Sequence, residues 1–194
     1  MYEFIKGKLI EKNPTYVVID ANGIGYILHI SIHTYTKLKE GENCCLYTHF
    51  VVREDAQILY GFAEAEEREL FRQLISVSGV GPNTARMILS SSSPLEVANA
   101  IGKGDAPFLQ GIKGIGAKTA QRIIVDLKGK LSKDLIPFQK VESGYNTKKE
   151  EALSGLVILG FSKILAEKAL NKIIEKEGAT LPVEELIRHA LKIL

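Results

Sequence analysis

The N-terminal third of the chain alternates apolar and polar side chains with the period of two that is typical of β-strands. Stretches rich in β-branched and aromatic residues lie at 16–19, 25–30, 45–52 and 58–60. Turn-forming Asn, Gly, Pro and Asp residues separate them. About five short strands at this spacing predict a small closed or nearly closed barrel, and an OB-type barrel is favoured over an SH3-like one.

The apolar period becomes helical from Glu64 onward, where Leu70, Leu74 and Val77 recur on one face. Four glutamates crowd the first turns of this segment, where the positive end of a helix dipole favours negative charge. Helical patterning continues to about Leu135. The pattern therefore predicts a helical domain that follows directly on the barrel.

The last part of the chain returns to helical patterning after a stretch rich in Ser, Gly, Asn and Lys. Glycine-containing breaks near 160 and 180 divide it into three helices. The pattern thus predicts a multidomain chain of both α and β structure. Its parts are a barrel at 1–63, a helical domain at 64–136, a flexible linker at 137–149 and a small three-helix module at 150–194.

An internal repeat is the most specific feature of the sequence. Residues 74–85 read LISVSGVGPNTA, and they recur 35 residues later as LQGIKGIGAKTA. Each copy predicts a helix, a Gly-apolar-Gly hairpin and a second helix, with Pro82 at the first position of the second helix. Such glycines permit a tight turn whose backbone N–H groups point outward beside a helix N-terminus. That arrangement binds phosphate without reading a base.

The distribution of charge favours an anion at the second copy. The chain carries a net charge of only +2, whereas residues 103–133 hold seven basic side chains and two acidic ones. Lys118 and Arg122 stand one turn apart on the outer face, and the helix dipole disfavours a cation in the first turn unless an anion lies in front of it. A merely solvated helix face, or an ordinary connection between helices, is the alternative for each copy.

Nucleotide-binding and metal-binding motifs do not fit the sequence. The lysine after Gly111 and Gly116 stands one place too late for a Walker A loop, and the segment before it is helical, which also excludes a dinucleotide fingerprint. Adjacent Cys44 and Cys45 suit neither a disulfide scaffold nor a zinc site. No nucleophile with a base and an orienting group is evident, so the expectation is a non-catalytic chain without cofactor or metal.

Membrane and secretory classes are excluded as well. Apolar runs are only a handful of residues long, whereas a membrane span needs about 20. The N-terminus lacks the charged-then-apolar pattern of a signal peptide. With its few, unpaired cysteines, the chain is expected in a reducing, cytoplasmic setting.

The repeated segment resembles a tandem helix-hairpin-helix, a motif that binds the DNA backbone without reading sequence. The run THFVVREDAQILYGF at 48–62 resembles the signature of the RuvA family, the Holliday-junction-binding subunits of bacterial branch-migration complexes. The resemblance covers the barrel, both hairpins, the linker and a UBA-like C-terminal module. It implies a tetramer or octamer that holds four-way junction DNA open and flat. It also implies two protein partners, a RuvB-type AAA+ motor and a RuvC-type junction resolvase.

The resemblance assigns contacts with the DNA backbone to residues of both hairpins and of the helices after them. They are Gly79, Val80, Gly81, Asn83, Arg86, Gly114, Ile115, Gly116, Lys118, Thr119 and Arg122. Asn83 and Ala117 depart from the family pattern, because relatives often have lysine there. The departures imply weaker phosphate contact, which Arg86 is expected to offset.

Two further pairs of residues receive roles from the same resemblance. Glu54 and Asp55 match an acidic pin that repels phosphates at the junction crossover, although two acids in a hairpin turn are in themselves ordinary. Leu156 and Leu159 match positions at which the family docks its motor. Apolar residues at helical spacing are otherwise core residues, so the expectation is that part of this stripe is exposed.

Two other functions remain as alternatives. A helix-hairpin-helix DNA glycosylase resembles 109–120 locally, with Asp134 roughly where its catalytic aspartate would be sought, but it needs no N-terminal barrel. A plain single-strand-binding barrel would need a basic groove with stacking aromatics. Residues 1–62 carry six basic and seven acidic side chains, which does not support such a groove.

Overall fold

The computed structural model describes residues 2–134, 146–177 and 181–194. The chain divides into two compact units, Met1–Phe138 and Gln139–Leu194. Most of the predicted linker, 137–149, lies outside the described residues. Its last four residues, 146–149, are helical. The end of the predicted linker is therefore wrong, since a helix begins ahead of Glu150.

Five strands close into a barrel in the order β1-β2-β3-β5-β4. They are β1 (Phe4–Asn13), β2 (Tyr16–Ala21), β3 (Ile24–His29), β4 (Asn43–Val52) and β5 (Gln57–Phe62), with helix α1 (Ile32–Lys37) between β3 and β4. All pairs are antiparallel except β3 with β5, which pair in parallel at His29 and Tyr60. The predicted OB-type barrel is confirmed.

The sequence pattern missed strand β1 and helix α1. Charged residues occupy much of β1, and only Ile5 and Leu9 are buried in the barrel core. Gly7 lets β1 approach β2 closely, because a Cβ there would lie 2.1 Å from the carbonyl oxygen of Asp20. Helix α1 has six residues, too few to show a helical period.

The rest of the first unit is helical. Its helices are α2 (Ala65–Ser76), α3 (Pro82–Ser91), α4 (Pro94–Lys103), α5 (Ala106–Gln110) and α6 (Ala117–Asp134). Tyr60 and Phe62 at the end of β5 pack in one core with Phe71 and Leu74 of α2. The predicted boundary at 63/64 is therefore a change of secondary structure within a single compact unit.

The second unit contains the three predicted helices. They are α7 (Asn146–Ile158), α8 (Lys163–Glu177) and α9 (Val183–Ala190). Their core includes Ala152, Leu156, Leu170, Ile173 and Leu186, each at most 3% exposed. Among the described helices of either unit, none is long and apolar enough to cross a membrane.

Candidate nucleic-acid interface

The first hairpin is a tight turn between α2 and α3. The backbone N–H of Val80 donates to the carbonyl oxygen of Val77 at 3.0 Å, which closes a four-residue turn. Gly79, the third residue of that turn, has φ +91°, whereas Ser78 has no positive φ. Because a positive φ at the third position alone defines a type II turn, glycine is the residue that fits.

The second hairpin repeats this geometry between α5 and α6. The N–H of Ile115 donates to the carbonyl oxygen of Ile112 at 3.1 Å, and Gly114 has φ +90°. The first intrahelical bonds also match: Ala85 donates to Gly81 at 2.9 Å, and Ala120 donates to Gly116 at 3.0 Å. The sequence repeat is therefore a repeat of backbone conformation.

The apolar residue at the centre of each hairpin faces the core. Val80 is 4% exposed and Ile115 is 5% exposed, and both pack in the core of the helical region. The expectation that these residues contact DNA must be corrected for their side chains. Their backbone groups alone can take part, and the two side chains secure the hairpins to the protein.

The second glycine of each hairpin faces open space. Neither Gly81 nor Gly116 has a positive φ, and a Cβ built at either position would meet no atom within 4 Å. Neither backbone conformation nor packing within the chain therefore demands glycine there. A glycine at the N-terminus of a helix lets an external group approach the backbone closely.

The helices that follow the hairpins present their positive ends to this open space. Backbone N–H groups in the first turn of an α-helix, here those of Asn83, Thr84, Lys118 and Thr119, precede the first possible intrahelical partner. Pro82 at the start of α3 has no N–H to satisfy. Each hairpin thus has the donors and the dipole that bind a phosphate oxygen.

A surface groove of about 540 Å³ lies between the turn of the first hairpin and helix α6, which follows the second hairpin. Ser78 and Gly79 of the first hairpin line it, together with Lys118, Thr119 and Arg122 of α6. The Arg122 guanidinium donates from Nη1 to both the carbonyl oxygen and Oγ of Ser78, each at 3.3 Å. Lys118 and Arg122 are both exposed. The predicted cationic face therefore lies beside the turn of the first hairpin and does not stand alone on a solvated helix.

Asn83 and Arg86 turn toward the barrel. The Tyr60 hydroxyl donates to Oδ1 of Asn83 at 3.3 Å, and Arg86 donates from Nη1 to the carbonyl oxygen of Thr15 at 2.9 Å. Both contacts attach α3 to the barrel. One hydrogen bond leaves the other guanidinium N–H groups of Arg86 able to donate, as in Arg122, so the expectation that Arg86 offsets the missing lysines stays a prediction.

The proposed pin lies at the tip of the β4–β5 hairpin. The N–H of Arg53 donates to the carbonyl oxygen of Ala56 at 2.8 Å, which leaves Glu54 and Asp55 as the two central residues of the turn. Both are exposed. Pairing of β4 with β5 holds the turn firmly, so the two carboxylates at its tip can face an approaching phosphate.

The second unit separates the two leucines expected to dock a motor. Leu159 is 60% exposed, beside Ile158 at 82%, whereas Leu156 is fully buried. Leu156 is therefore a core residue, and its assignment to a docking surface is wrong for this structure. Ile164 and Leu165 at the start of α8 are also exposed, at 69% and 56%. Sequence reasoning missed these two because the helical period does not show which face is covered.

Asp134 and the two cysteines, which the sequence raised as candidates for other chemistry, lie outside the two hairpins. Asp134 is the last residue of α6. Over the part of the chain that the structure describes, no group of three or more His, Cys, Asp or Glu side chains is placed to hold a metal ion. Cys44 is half-buried and Cys45 is exposed on β4, and both thiols are free.

Comparison with known families accounts for nearly the whole chain. The RuvA N terminal domain matches residues 1–61, a SAM-like helix-hairpin-helix tandem matches 71–129, and the RuvA C-terminal domain matches 147–194.

Curated relatives match over their full length and that of this chain. A protein of Christiangramia forsetii is 55% identical, one of Flavobacterium psychrophilum is 52% identical and one of Bacteroides fragilis is 46% identical. Each covers 100% of both chains and is named Holliday junction branch migration complex subunit RuvA.

Proposed function

The chain belongs to the RuvA family, and we propose that it binds four-way DNA junctions as a non-catalytic subunit of a branch-migration complex. One observation supports this function above the others. Two hairpins share the same backbone conformation, and Lys118 and Arg122 of the helix after the second hairpin line a groove beside the turn of the first. Full-length identity to proteins named for this role points the same way.

Binding through the hairpins is independent of base sequence. The N–H groups of the two helix N-termini and the cations of α6 recognise phosphate oxygens, which are alike at every base pair. The open space at Gly81 and Gly116 lets a phosphate reach the backbone. A preference for junctions must therefore come from the arrangement of subunits and not from base contacts. A comparison of affinity for a four-way junction and for linear duplex with the same arms tests it.

A fourfold tetramer would supply that arrangement, with a face-to-face octamer as its extension. Each subunit would hold one arm of the junction, and the four β4–β5 turns would meet near the axis. Two carboxylates from each subunit, Glu54 and Asp55, would then surround the crossover. Their repulsion of phosphates disfavours a tightly held crossover and favours separation of base pairs for migration. This is an electrostatic role and not acid–base catalysis.

Neutralising the pin should tighten junction binding while altering migration. Two like charges about 4 Å apart repel by about 1 kcal/mol even in water, so Glu54→Gln with Asp55→Asn lowers the energy of the complex more than that of the free protein. The gain should shrink as salt rises, because salt screens the repulsion. Junction affinity at two salt concentrations measures both effects.

The matched control for the pin is Glu40→Gln with Glu42→Gln, two exposed acids on a different loop of the barrel. It removes the same charge and should change junction affinity much less. Thermal melting should be nearly unchanged in both variants, since exposed substitutions usually alter stability by within about 0.5 kcal/mol. Weaker binding of the pin variant at low salt, with unchanged melting, would mean that these carboxylates make a favourable contact.

We propose that a separate protein chain supplies the ATP-driven movement of the junction. We assign ATP hydrolysis to a RuvB-type AAA+ motor, because the curated relatives are named as subunits of a branch migration complex. The exposed apolar side chains of the second unit, Ile158 and Leu159 among them, are its docking surface in this proposal. A RuvC-type junction resolvase is a further partner. We also propose a cytoplasmic location, because DNA junctions of this kind arise on the bacterial chromosome.

A further inference from the structure

A buried carboxylate connects helix α1 of the barrel to helix α2. Glu67, in the first turn of α2, is 0% exposed, as are Ser31 and Thr34 at the start of α1. Oε1 of Glu67 accepts a hydrogen bond from the Ser31 hydroxyl, and Oε2 accepts one from the Thr34 hydroxyl at 2.6 Å. Sequence reasoning treated this glutamate only as a favourable charge near a helix N-terminus, and the structure shows a different role.

Both hydroxyls in this network also accept hydrogen bonds from the backbone. The Thr34 N–H donates to Oγ of Ser31 at 3.0 Å, which caps α1, and the Ala63 N–H donates to Oγ1 of Thr34 at 2.9 Å. Each hydroxyl carries a single proton, and here each hydroxyl uses that proton to donate a hydrogen bond to Glu67. A carboxylate suits the site because it accepts from two donors at once. The network therefore joins α1, α2 and the connection from β5.

A buried charge is a costly way to join these elements. Burial raises the pKa of the Glu67 carboxyl, while the Ser31 and Thr34 hydroxyls and nearby His33 oppose the rise. Apolar residues of similar volume commonly serve stability as well as a buried ionic group does. A polar network of this kind specifies one geometry, because its hydrogen bonds are satisfied in only one arrangement.

The same short helix also reaches the helix after the first hairpin. The N–H of Ile32 in α1 donates to Oγ of Ser90 near the end of α3, at 3.1 Å. Helices α2 and α3 flank the first hairpin, so α1 holds both of them. The barrel that bears α1 also bears Glu54 and Asp55 at the tip of β4–β5. The contacts of α1 therefore help to set the separation between pin and hairpin, together with the contacts of Asn83 and Arg86 described above.

We propose that Glu67, Ser31 and Thr34 are positioning residues for junction binding, which fix the first hairpin relative to the acidic pin. The inference rests on the proposed function. Linear duplex engages the hairpins alone and is indifferent to that separation. A junction must meet the hairpins while its crossover stays clear of the repelling carboxylates of the pin, so a shift of the hairpin toward the pin brings phosphates nearer to those carboxylates and weakens junction binding. The network therefore sets selectivity for junctions rather than affinity for DNA.

The test compares two substitutions of Thr34 in the full-length protein. Thr34→Val keeps the shape of the side chain and removes the hydroxyl, whereas Thr34→Ser keeps the hydroxyl. Thr34→Val should lose about tenfold of the preference for a four-way junction over linear duplex. Its duplex affinity and salt dependence should match those of the unmodified protein. Thr34→Ser should retain the preference.

A second pair of variants leaves the buried network untouched. Ser90→Ala removes the contact with Ile32 and a bond from Ser90 to the carbonyl oxygen of Arg86 within α3, whereas Ser91→Ala removes only a comparable bond within α3, from Ser91 to the carbonyl oxygen of Ile88. Ser90→Ala should lower the junction preference by several-fold, and Ser91→Ala should not. If Thr34→Val does not fold, the comparison of Ser90→Ala with Ser91→Ala still tests whether the contacts of α1 set the preference for junctions.

Two results would overturn the inference. One is a Ser90→Ala or Thr34→Val protein that binds junction and duplex more weakly by the same factor, in step with its melting temperature, since that is a loss of stability only. The other is an unchanged preference in a folded variant of either kind. Equal affinity of the unmodified protein for junction and duplex would instead contradict the proposed function itself.

Discussion

Combining Lys118→Ala with Arg122→Ala should weaken junction binding by at least about a hundredfold at moderate salt. Both side chains line the groove beside the first hairpin, where Arg122 also contacts Ser78. Each phosphate contact contributes about 0.9 to the slope of log affinity against log salt. The slope should therefore fall by nearly two for every subunit that contacts DNA. Titrations of a labelled junction at three or more salt concentrations measure affinity and slope together.

The control for this prediction removes the same charge elsewhere. Lys39 and Lys103 are exposed lysines outside the groove, and replacing both by alanine should leave affinity and slope nearly unchanged. An equal loss in the control would mean that binding reflects net charge alone. No loss in either double variant would mean that the outer face of α6 is only solvated. Because Arg122 also contacts Ser78, Lys118→Ala alone is the cleaner measure of a phosphate contact.

Removing residues 139–194 should leave junction binding intact and abolish stimulation of the motor's branch migration. The first unit, Met1–Phe138, contains both hairpins, the pin and a core of its own. The exposed apolar side chains assigned to motor docking lie in the second unit. The measurement is junction affinity together with the rate at which the motor, supplied with ATP, moves a synthetic junction. A truncated protein that still supports migration would contradict the docking role.

A single substitution tests the proposed docking role at one residue of the second unit. Leu159→Asp changes a side chain that is 60% exposed, so it should abolish stimulation without unfolding the second unit. Leu95→Asp, at a side chain of α4 that is 71% exposed, is the matched control in the first unit and should have no effect on stimulation. Leu156→Ala should act differently, because opening a cavity in a buried core costs about 2–5 kcal/mol. Its effect should follow the melting of the second unit.

The two hairpins could be predicted from the sequence because their chemistry is local. Gly79 and Gly114 are required by a positive φ within a four-residue turn, and that requirement is visible in the residue itself. The repetition of the pattern after 35 residues then indicated a functional motif rather than an ordinary turn between two helices. The closed barrel was predictable for a similar reason, since the period of two is visible along β2, β3, β4 and β5, although not along β1.

Features that depend on distant residues could not be predicted in this way. Glu67 is buried only because Ser31 and Thr34, more than 30 positions earlier, supply its hydrogen bonds. Nothing in the local pattern distinguishes it from the partly exposed glutamates Glu64, Glu66 and Glu69. Leu156 and Leu159 illustrate the same limit, because packing of α7 against α8 and α9 decides which leucine is covered. The apolar period of a helix identifies its apolar face but does not show which other helices cover that face.

The most direct test of the account is a competition between two DNAs for the unmodified, full-length protein. A four-way junction and a linear duplex built from the same arms, at equal concentration of base pairs and moderate salt, remove differences of sequence and of charge. The account predicts a clear preference for the junction that survives exchange of the arm sequences, because the hairpins read phosphates and the arrangement of subunits reads shape. Equal binding to the two DNAs, or a preference that follows the arm sequence, would contradict it.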